Sequence, residues 1–307
     1  MADIERFGRF GKMRPKLTWI NLFDIISAAL VITFITVSEL GYFPQVVIRG
    51  FYCDDRSIQR PYSGDSVTTC MIILSGFVPF FLIWLTEILF YFPTMTETSK
   101  VDAPSSRYKG SLYQTFYWFR KYGRGLIIKL LIIDAAKIFA GEHRPHFIDT
   151  CRPDVVCEGK EFISSYTCTN TDDSLYFIRD ASKSFPSGHS SVSVFETVFM
   201  IWYLHRRVPK LPSILALPLI QLVIALWGIF CPLSRIMDNR HHWWDVLAGS
   251  LVGLVAAGIT CFIDCRNFNK ARPTTRHSAY RDHDIKLISN NTPYKEDTNL
   301  NSIVNCS

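Results

Sequence analysis

Apolar residues in this chain collect into long runs divided by shorter polar links, the pattern of buried or lipid-facing helices rather than of half-exposed strands. Crossing a bilayer takes about 20 apolar residues, and several runs qualify. Leu17–Leu40 is the first and Val67–Phe92 the second, with Leu211–Cys231 and Val246–Ile263 further on. The last is rich in small residues, which favours close contact between helices. Ser190–Leu204 is shorter and gains length if its helix starts at Ser187. Tyr113–Gly141 is apolar from Gly125 to Ala140 but carries Lys129, Asp134 and Lys137. Charges inside a span are costly and turn toward the protein interior. Lys129 and Asp134 read as structural, as partners for one another.

The polar links decide how many of these runs cross. Lys and Arg mark the cytoplasmic side. They crowd at Arg6, Arg9, Lys12, Arg14 and Lys16, at Arg206, Arg207 and Lys210, and at Arg266, Lys270 and Arg272. Six spans put all three regions on one side, whereas five would part the two ends. The sequence therefore predicts an all-α polytopic membrane protein with six transmembrane helices and both termini cytoplasmic. Composition agrees: 48% of the 307 residues are apolar and mean hydropathy is +0.13, too apolar for an ordinary soluble domain. The basic residues 1–16 are not a signal peptide, having no small-residue cleavage site after a short apolar core. Residues 17–265 are expected to form the membrane domain, and the polar residues 266–307 a disordered cytoplasmic tail.

The opposite face then holds loops 41–66, 142–186 and 232–245. Cys53, Cys70, Cys151, Cys157 and Cys168 lie in or beside the first two, which suits an oxidising compartment. Cys151, Cys157 and Cys168 share a loop, with Cys53 as the fourth partner. Four cysteines allow three pairings, and sequence does not choose among them. Cys261 and Cys265 are read as buried thiols. The glycosylation sequons at Asn290 and Asn305 fall in the tail and are read as chance matches.

Three polar clusters land on that same outer face: KIFAGEHRP (137–145), SFPSGHSS (184–191) and LSRIMDNRHHWWD (233–245). Taken singly, each has a plain reading as boundary charges, a helix cap or an interfacial aromatic belt. Together they supply Lys137, Arg144, Arg235, His189, His241, His242 and Asp245, the parts of a phosphate site. Three cations neutralise a phosphate and the charge that develops on its oxygens. Arg144 and Arg235 can grip oxygens in a bidentate manner. Ser187, Gly188 and the backbone N–H groups at a helix start add donors. One histidine attacks phosphorus while the other serves as general acid and then base. A carboxylate orients an attacking imidazole. Asp245 is four residues after His241 and three after His242, so spacing does not decide which histidine it serves.

These motifs resemble the signature of the type 2 phosphatidic acid phosphatase superfamily. They read Lys137…Arg144-Pro145, Pro186-Ser187-Gly188-His189 and Ser234-Arg235…His241…Asp245. The six-span layout, RPHF (144–147), SGHSS (187–191) and DNRHHWWDV (238–246) look like the animal lipid phosphate phosphatases, with a likeness to the insect Wunen-type members. The resemblance covers about residues 17 to 265. It implies that His241 is the nucleophile, Asp245 its orienting carboxylate and His189 the acid and base. It assigns Lys137, Arg144, Ser187, Gly188 and Arg235 to the substrate phosphate, at the outer ends of spans 3 to 6. It further implies no metal and no cofactor. The implied substrates are phosphatidate, lysophosphatidate, sphingosine 1-phosphate and ceramide 1-phosphate, and the implied assembly is a homo-oligomer.

His143 and His146 flank Arg144-Pro145 without a carboxylate or cysteine at ligand spacing, so neither reads as a metal ligand. No nucleic-acid partner is expected. The expected location is the plasma membrane, with the site extracellular or lumenal. Two other classes were weighed. A non-catalytic lipid-phosphate-binding scaffold would be expected to lack parts of the His189, His241 and Asp245 set. A transporter would show broken spans in paired repeats, and none is found. A phosphatase of a soluble phosphate ester shares the chemistry and stays open.

Overall fold

The computed structural model describes residues 19–39, 49–90 and 104–268. The basic segment 1–16, the tail from 269 onward and the sequons at Asn290 and Asn305 lie outside the described residues. The protein is mostly helical. Helix α1 (Trp19–Glu39) follows the first apolar run. The second run is divided into α2 (Thr69–Ser75) and α3 (Val78–Phe90), which meet at Gly76 and Phe77 just before Pro79. Helix α4 (Pro104–Ala140) is 37 residues long, about 55 Å at the helical rise. Helices α7 (Gly188–Arg207), α8 (Ala216–Met237) and α9 (Trp243–Ile259) complete the bundle, and a π-helical turn extends α9 over Thr260–Asp264. Among the described residues, three stretches are long and apolar enough to cross a membrane: Thr69–Phe90, Ala216–Met237 and Trp243–Asp264.

The bundle is centred on α7. Its Phe195, Phe199 and Tyr203 pack against Trp118 and Tyr122 of α4 and Ala257 of α9. The α7–α9 contact is the most extensive between helices. A Cβ on Gly249 would collide with the carbonyl oxygen of Ser187, and one on Gly253 with that of Ser191. The small residues of the last run thus permit the backbone approach that side chains would block. Lys129 is buried beside the Phe195 ring, 5.9 Å from its centroid. Its ammonium has no hydrogen-bond partner among the described residues, so the pairing expected with Asp134 is not made.

A separate cap covers one end. It contains the antiparallel pair β1 (Phe51–Tyr52) and β2 (Phe162–Ile163), with Phe51 opposite Ile163, and the short helices α5 (Phe147–Cys151) and α6 (Leu175–Asp180). Phe51, Ile58, Phe147 and Ala181 form its core. Of the three pairings left open by sequence, the structure takes Cys53–Cys157 and Cys151–Cys168. The first joins loop 41–66 to loop 142–186 and the second closes part of the latter. Cys261 and Cys265 are buried free thiols, as expected, while Cys70 is free and exposed.

Candidate active site

The three clusters meet where the ends of α4, α7, α8 and α9 face the cap. Backbone hydrogen bonds fix their loops to one another. Arg144 N donates to Ala181 O at 2.8 Å, Ser184 N to Glu142 O at 2.9 Å and Ser187 N to Asp245 O at 3.1 Å. Ser187 caps α7, its hydroxyl accepting from Ser190 N, which is the plain half of what its position predicts. The Lys137 ammonium, in the last turn of α4, lies 3.6 Å from where a Cβ on Gly188 would stand. A cation is therefore set against the first residue of α7.

His189 enters on the first turn of α7. Its Nε2 is buried and has no hydrogen-bond partner among the described residues. Arg235, His241, Lys137 and Arg144 all act on it electrostatically. His241 is 3% exposed and sits in the link before α9. Burial pushes its imidazole down to about 3, and Arg144 adds to this against the opposing pull of Asp245. The ring is therefore neutral, the form in which a nitrogen lone pair can attack.

Asp245 is fully buried. Its Oδ2 accepts from Ser184 Oγ at 2.6 Å and from His242 N at 2.9 Å. The two histidines that spacing left equivalent are both in reach. Asp245 Oδ2 lies 3.3 Å from His242 Nδ1 and 3.7 Å from His241 Nδ1. The nearer partner is thus His242, whose ring is stacked on Trp244 at 4.4 Å. Asp245 Oδ1 and His241 Nδ1 are both buried without hydrogen-bond partners among the described residues.

The two arginines depart from the expected open forks. Arg144 gives Nη2 to Asp180 Oδ1 at 2.7 Å and Nε to Asp180 O at 2.8 Å. Arg235 gives Nη1 to Asp65 Oδ1 at 2.9 Å and Nη2 to Asp238 Oδ2 at 2.8 Å. Burial alone would raise the Asp180 carboxyl, but Arg144 and Arg240 hold it far below the usual carboxylate range. Sequence reasoning missed Asp65, Asp180, Asp238, Arg240 and Ser184. The signal available was chemical: buried arginines demand carboxylates.

His143 and His146 serve the cap. His143 Nε2 contacts Arg49 O at 2.8 Å, and its ring stacks on Phe147. His146 Nδ1 contacts Thr150 Oγ1 at 2.7 Å. Among the described residues, one group could gather three ligand atoms around a cation: Glu142, His242 and Asp245, within 4.8 Å of one another. Its Asp245 oxygen is already engaged by Ser184 and the His242 backbone.

Comparison with known proteins bears on this arrangement. The profile of the PAP2 superfamily matches residues 118–267. A putative phosphatidate phosphatase of Drosophila melanogaster is 34% identical over 226 residues, which are 68% of this chain and 59% of that relative, so the chain spans less than two thirds of it. A phospholipid phosphatase homolog of Caenorhabditis elegans is 30% identical over 84% of this chain and 75% of its own length. Phospholipid phosphatase 1 of Rattus norvegicus is 31% identical over 75% and 82%. No solved structure matches the chain. The matched segment holds all three clusters, and on the extent and identity of these matches the chain belongs to the PAP2 superfamily.

Proposed function

We propose that this chain is an integral membrane phosphatase that hydrolyses lipid phosphate monoesters through a phosphohistidine. The observation that carries the reading is a pair of imidazoles, His189 and His241, whose buried Nε2 and Nδ1 have no hydrogen-bond partner among the described residues, with Lys137 and Arg144 acting on both rings and Arg235 on the first. His241 stands just before the apolar stretch Trp243–Asp264, and His189 on the first turn of α7, the helix packed against it. With Nδ1 turned toward Asp245, His241 attacks phosphorus through Nε2. The ester P–O bond breaks, its electron pair passes to the lipid alkoxide, and His189 supplies the proton. His189 then takes a proton from water, whose oxygen attacks phosphorus and cleaves the P–N bond, releasing orthophosphate. Lys137 and the Gly188 backbone face the developing charge at the start of α7.

In this reading six helical spans cross the membrane, with both termini cytoplasmic and the site on the outer leaflet of the plasma membrane. Residues 17–265 are the catalytic domain. A headgroup at the interface reaches the site sideways from the bilayer. Phosphatidate, lysophosphatidate, sphingosine 1-phosphate and ceramide 1-phosphate are the substrates, no metal takes part, and the protein assembles with copies of itself.

The test is phosphate release by detergent-purified protein in EDTA, from phosphatidate, sphingosine 1-phosphate and glucose 6-phosphate, with His241→Ala alongside. Lipid hydrolysis that falls by about 10³-fold or more in the variant supports the reading. Release from glucose 6-phosphate alone would move the substrate class to soluble esters. Loss of activity in EDTA that a divalent cation restores would overturn the metal-free mechanism and draw attention to Glu142, His242 and Asp245.

A further inference from the structure

The two arginines assigned to phosphate stand on different elements, and a continuous path of ion pairs joins them. Arg144 holds one oxygen of Asp180, and the other accepts from Arg240 Nη2 at 3.0 Å. Arg240 Nε lies 3.2 Å from Asp65 Oδ1, an ion-pair contact without hydrogen-bond alignment, and that same oxygen accepts from Arg235 Nη1 at 2.9 Å. Arg240 is thus the counter-ion shared by both carboxylates. It is 8% exposed and lies against the rings of Tyr62 and Phe177, 5.5 and 5.1 Å from their centroids. Its backbone is tied to the same arginine: Arg240 N and His241 N both donate to Arg235 O, at 3.0 and 3.1 Å. The residue that couples the two phosphate arginines therefore directly precedes the nucleophile.

Asp65 reaches the site from the first outer loop, outside the segment that matches the PAP2 profile. The loop is pinned on both sides of it. Tyr62 N donates to Asp149 Oδ2 at 2.9 Å, and Ser66 gives N and Oγ to Asp238 at 2.8 and 2.7 Å. Buried ion pairs contribute little net stability, and their best-attested use is to fix one geometry among several. A guanidinium suits the shared position because its planar group can aim one N–H at Asp180 while its delocalised charge lies against Asp65, which the point charge of an ammonium does not do.

Resting on the function proposed above, we propose that Arg240, with Asp65 and Asp180, is a positioning relay for phosphate recognition. It sets the spacing and tilt of Arg144 and Arg235 and, through its own peptide, the place of His241. Substrate does not need to touch it.

The test reads inhibition by orthovanadate, a phosphate analogue, because an inhibition constant does not depend on how much of the protein is folded. Arg240→Gln should raise the constant by about tenfold or more, and Arg240→Lys, which keeps the charge but not the fork, by less. Asp65→Asn should raise it on its own, yet add less than about twofold in the Arg240→Gln background, since both changes cut one path. An unchanged constant in Arg240→Gln overturns the relay, as do fold-changes that multiply in the double variant. If Arg240→Gln does not elute as folded protein, the cycle is run with Arg240→Lys under the same two criteria. A wild-type protein that neither releases phosphate in EDTA nor responds to vanadate would instead overturn the functional reading on which the relay rests.

Discussion

An arginine–carboxylate cluster lies at each end of helix α7, and the two differ in kind. At its C-terminal end, Arg207 closes on Glu87 of α3 with contacts of 2.9 and 3.1 Å to its two oxygens, and Tyr203 adds its hydroxyl at 2.9 Å. One cation meets one carboxylate. At the N-terminal end, Arg144, Arg235 and Arg240 are threaded through Asp65, Asp180 and Asp238, while His189, His241 and Asp245 beside them each keep a buried atom without a partner among the described residues. Unpaired buried polar atoms cost stability. At one end, among the described residues, catalytic-type groups keep unpartnered atoms, whereas at the other Glu87, Tyr203 and Arg207 satisfy one another, which separates a place for chemistry from a clamp between helices.

Acid should strain the open end most. His146 is lowered to about 3 by burial and by Arg144 and Arg240, and His241 to a similar value, against 6.5 when unfolded. Both folded values are depressed, so as pH falls below 6.5 the unfolded chain takes protons that the native one refuses. From pH 7 to 5 this removes about 2 kcal/mol per histidine. Asp180 also has a depressed folded value, and its contribution is lost only at still lower pH. Thermal unfolding of the detergent-solubilised protein should therefore shift down by several degrees between pH 7 and 5. A flat profile would mean that these rings are not held neutral. At the closed end the expected change is to stability alone. Glu87→Gln leaves the half-buried Arg207 facing a neutral amide and should cost about 2 kcal/mol, while KM and kcat per folded molecule stay within about twofold. A fall in kcat with normal stability would erase the distinction between the two ends.

The sequence carried the apolar runs, the three clusters and their common side, because these depend on composition and order. It did not carry the partners. Loops 41–66, 142–186 and 232–245 hold Asp54, Asp55, Asp65, Asp149, Asp154, Asp172, Asp173, Asp180, Asp238 and Asp245, and only Asp65, Asp180 and Asp238 pair with Arg144, Arg235 and Arg240. Arg235 meets an aspartate 170 positions away, and no local spacing rule reaches so far. The same holds for the cystines: Cys53 is 104 positions from Cys157, and their pairing follows from the β1–β2 contact. His242 shows a subtler limit. It lies nearer Asp245 than His241 does because it also starts helix α9, where the aspartate accepts from its backbone N–H. A capping role and an orienting role fall on one carboxylate, and a motif does not separate them.

The two ends are also tied to α9 differently. Gly249 lets that helix touch the Ser187 carbonyl, whereas Gly258 has open space at its Cβ position. Gly249→Val should push the Pro-Ser-Gly-His turn away from the cations and lower kcat by about 100-fold, the usual cost of an ångström-scale misplacement. Gly258→Ala should leave kcat unchanged. Equal effects in the two variants would show that the loss comes from general weakening of α9 rather than from the turn.

The smallest expected effect probes how firmly Asp245, the proposed orienting carboxylate, is held. Asp245 Oδ2 takes a 2.6 Å hydrogen bond from Ser184 and a 2.9 Å one from the His242 backbone. Ser184→Ala removes the first and leaves the second, and its partner on the far side, His242 Nδ1, stays 3.3 Å away. The carboxylate keeps its charge and most of its anchoring, so the loss should be about 1 kcal/mol, a fall in kcat of roughly fivefold with KM unchanged. Ser184→Thr, which keeps the hydroxyl, should recover most of that loss if its methyl group is accommodated. Steady-state kinetics on both variants, per folded molecule, distinguishes a held carboxylate from a merely packed serine: only the first predicts that threonine rescues and alanine does not.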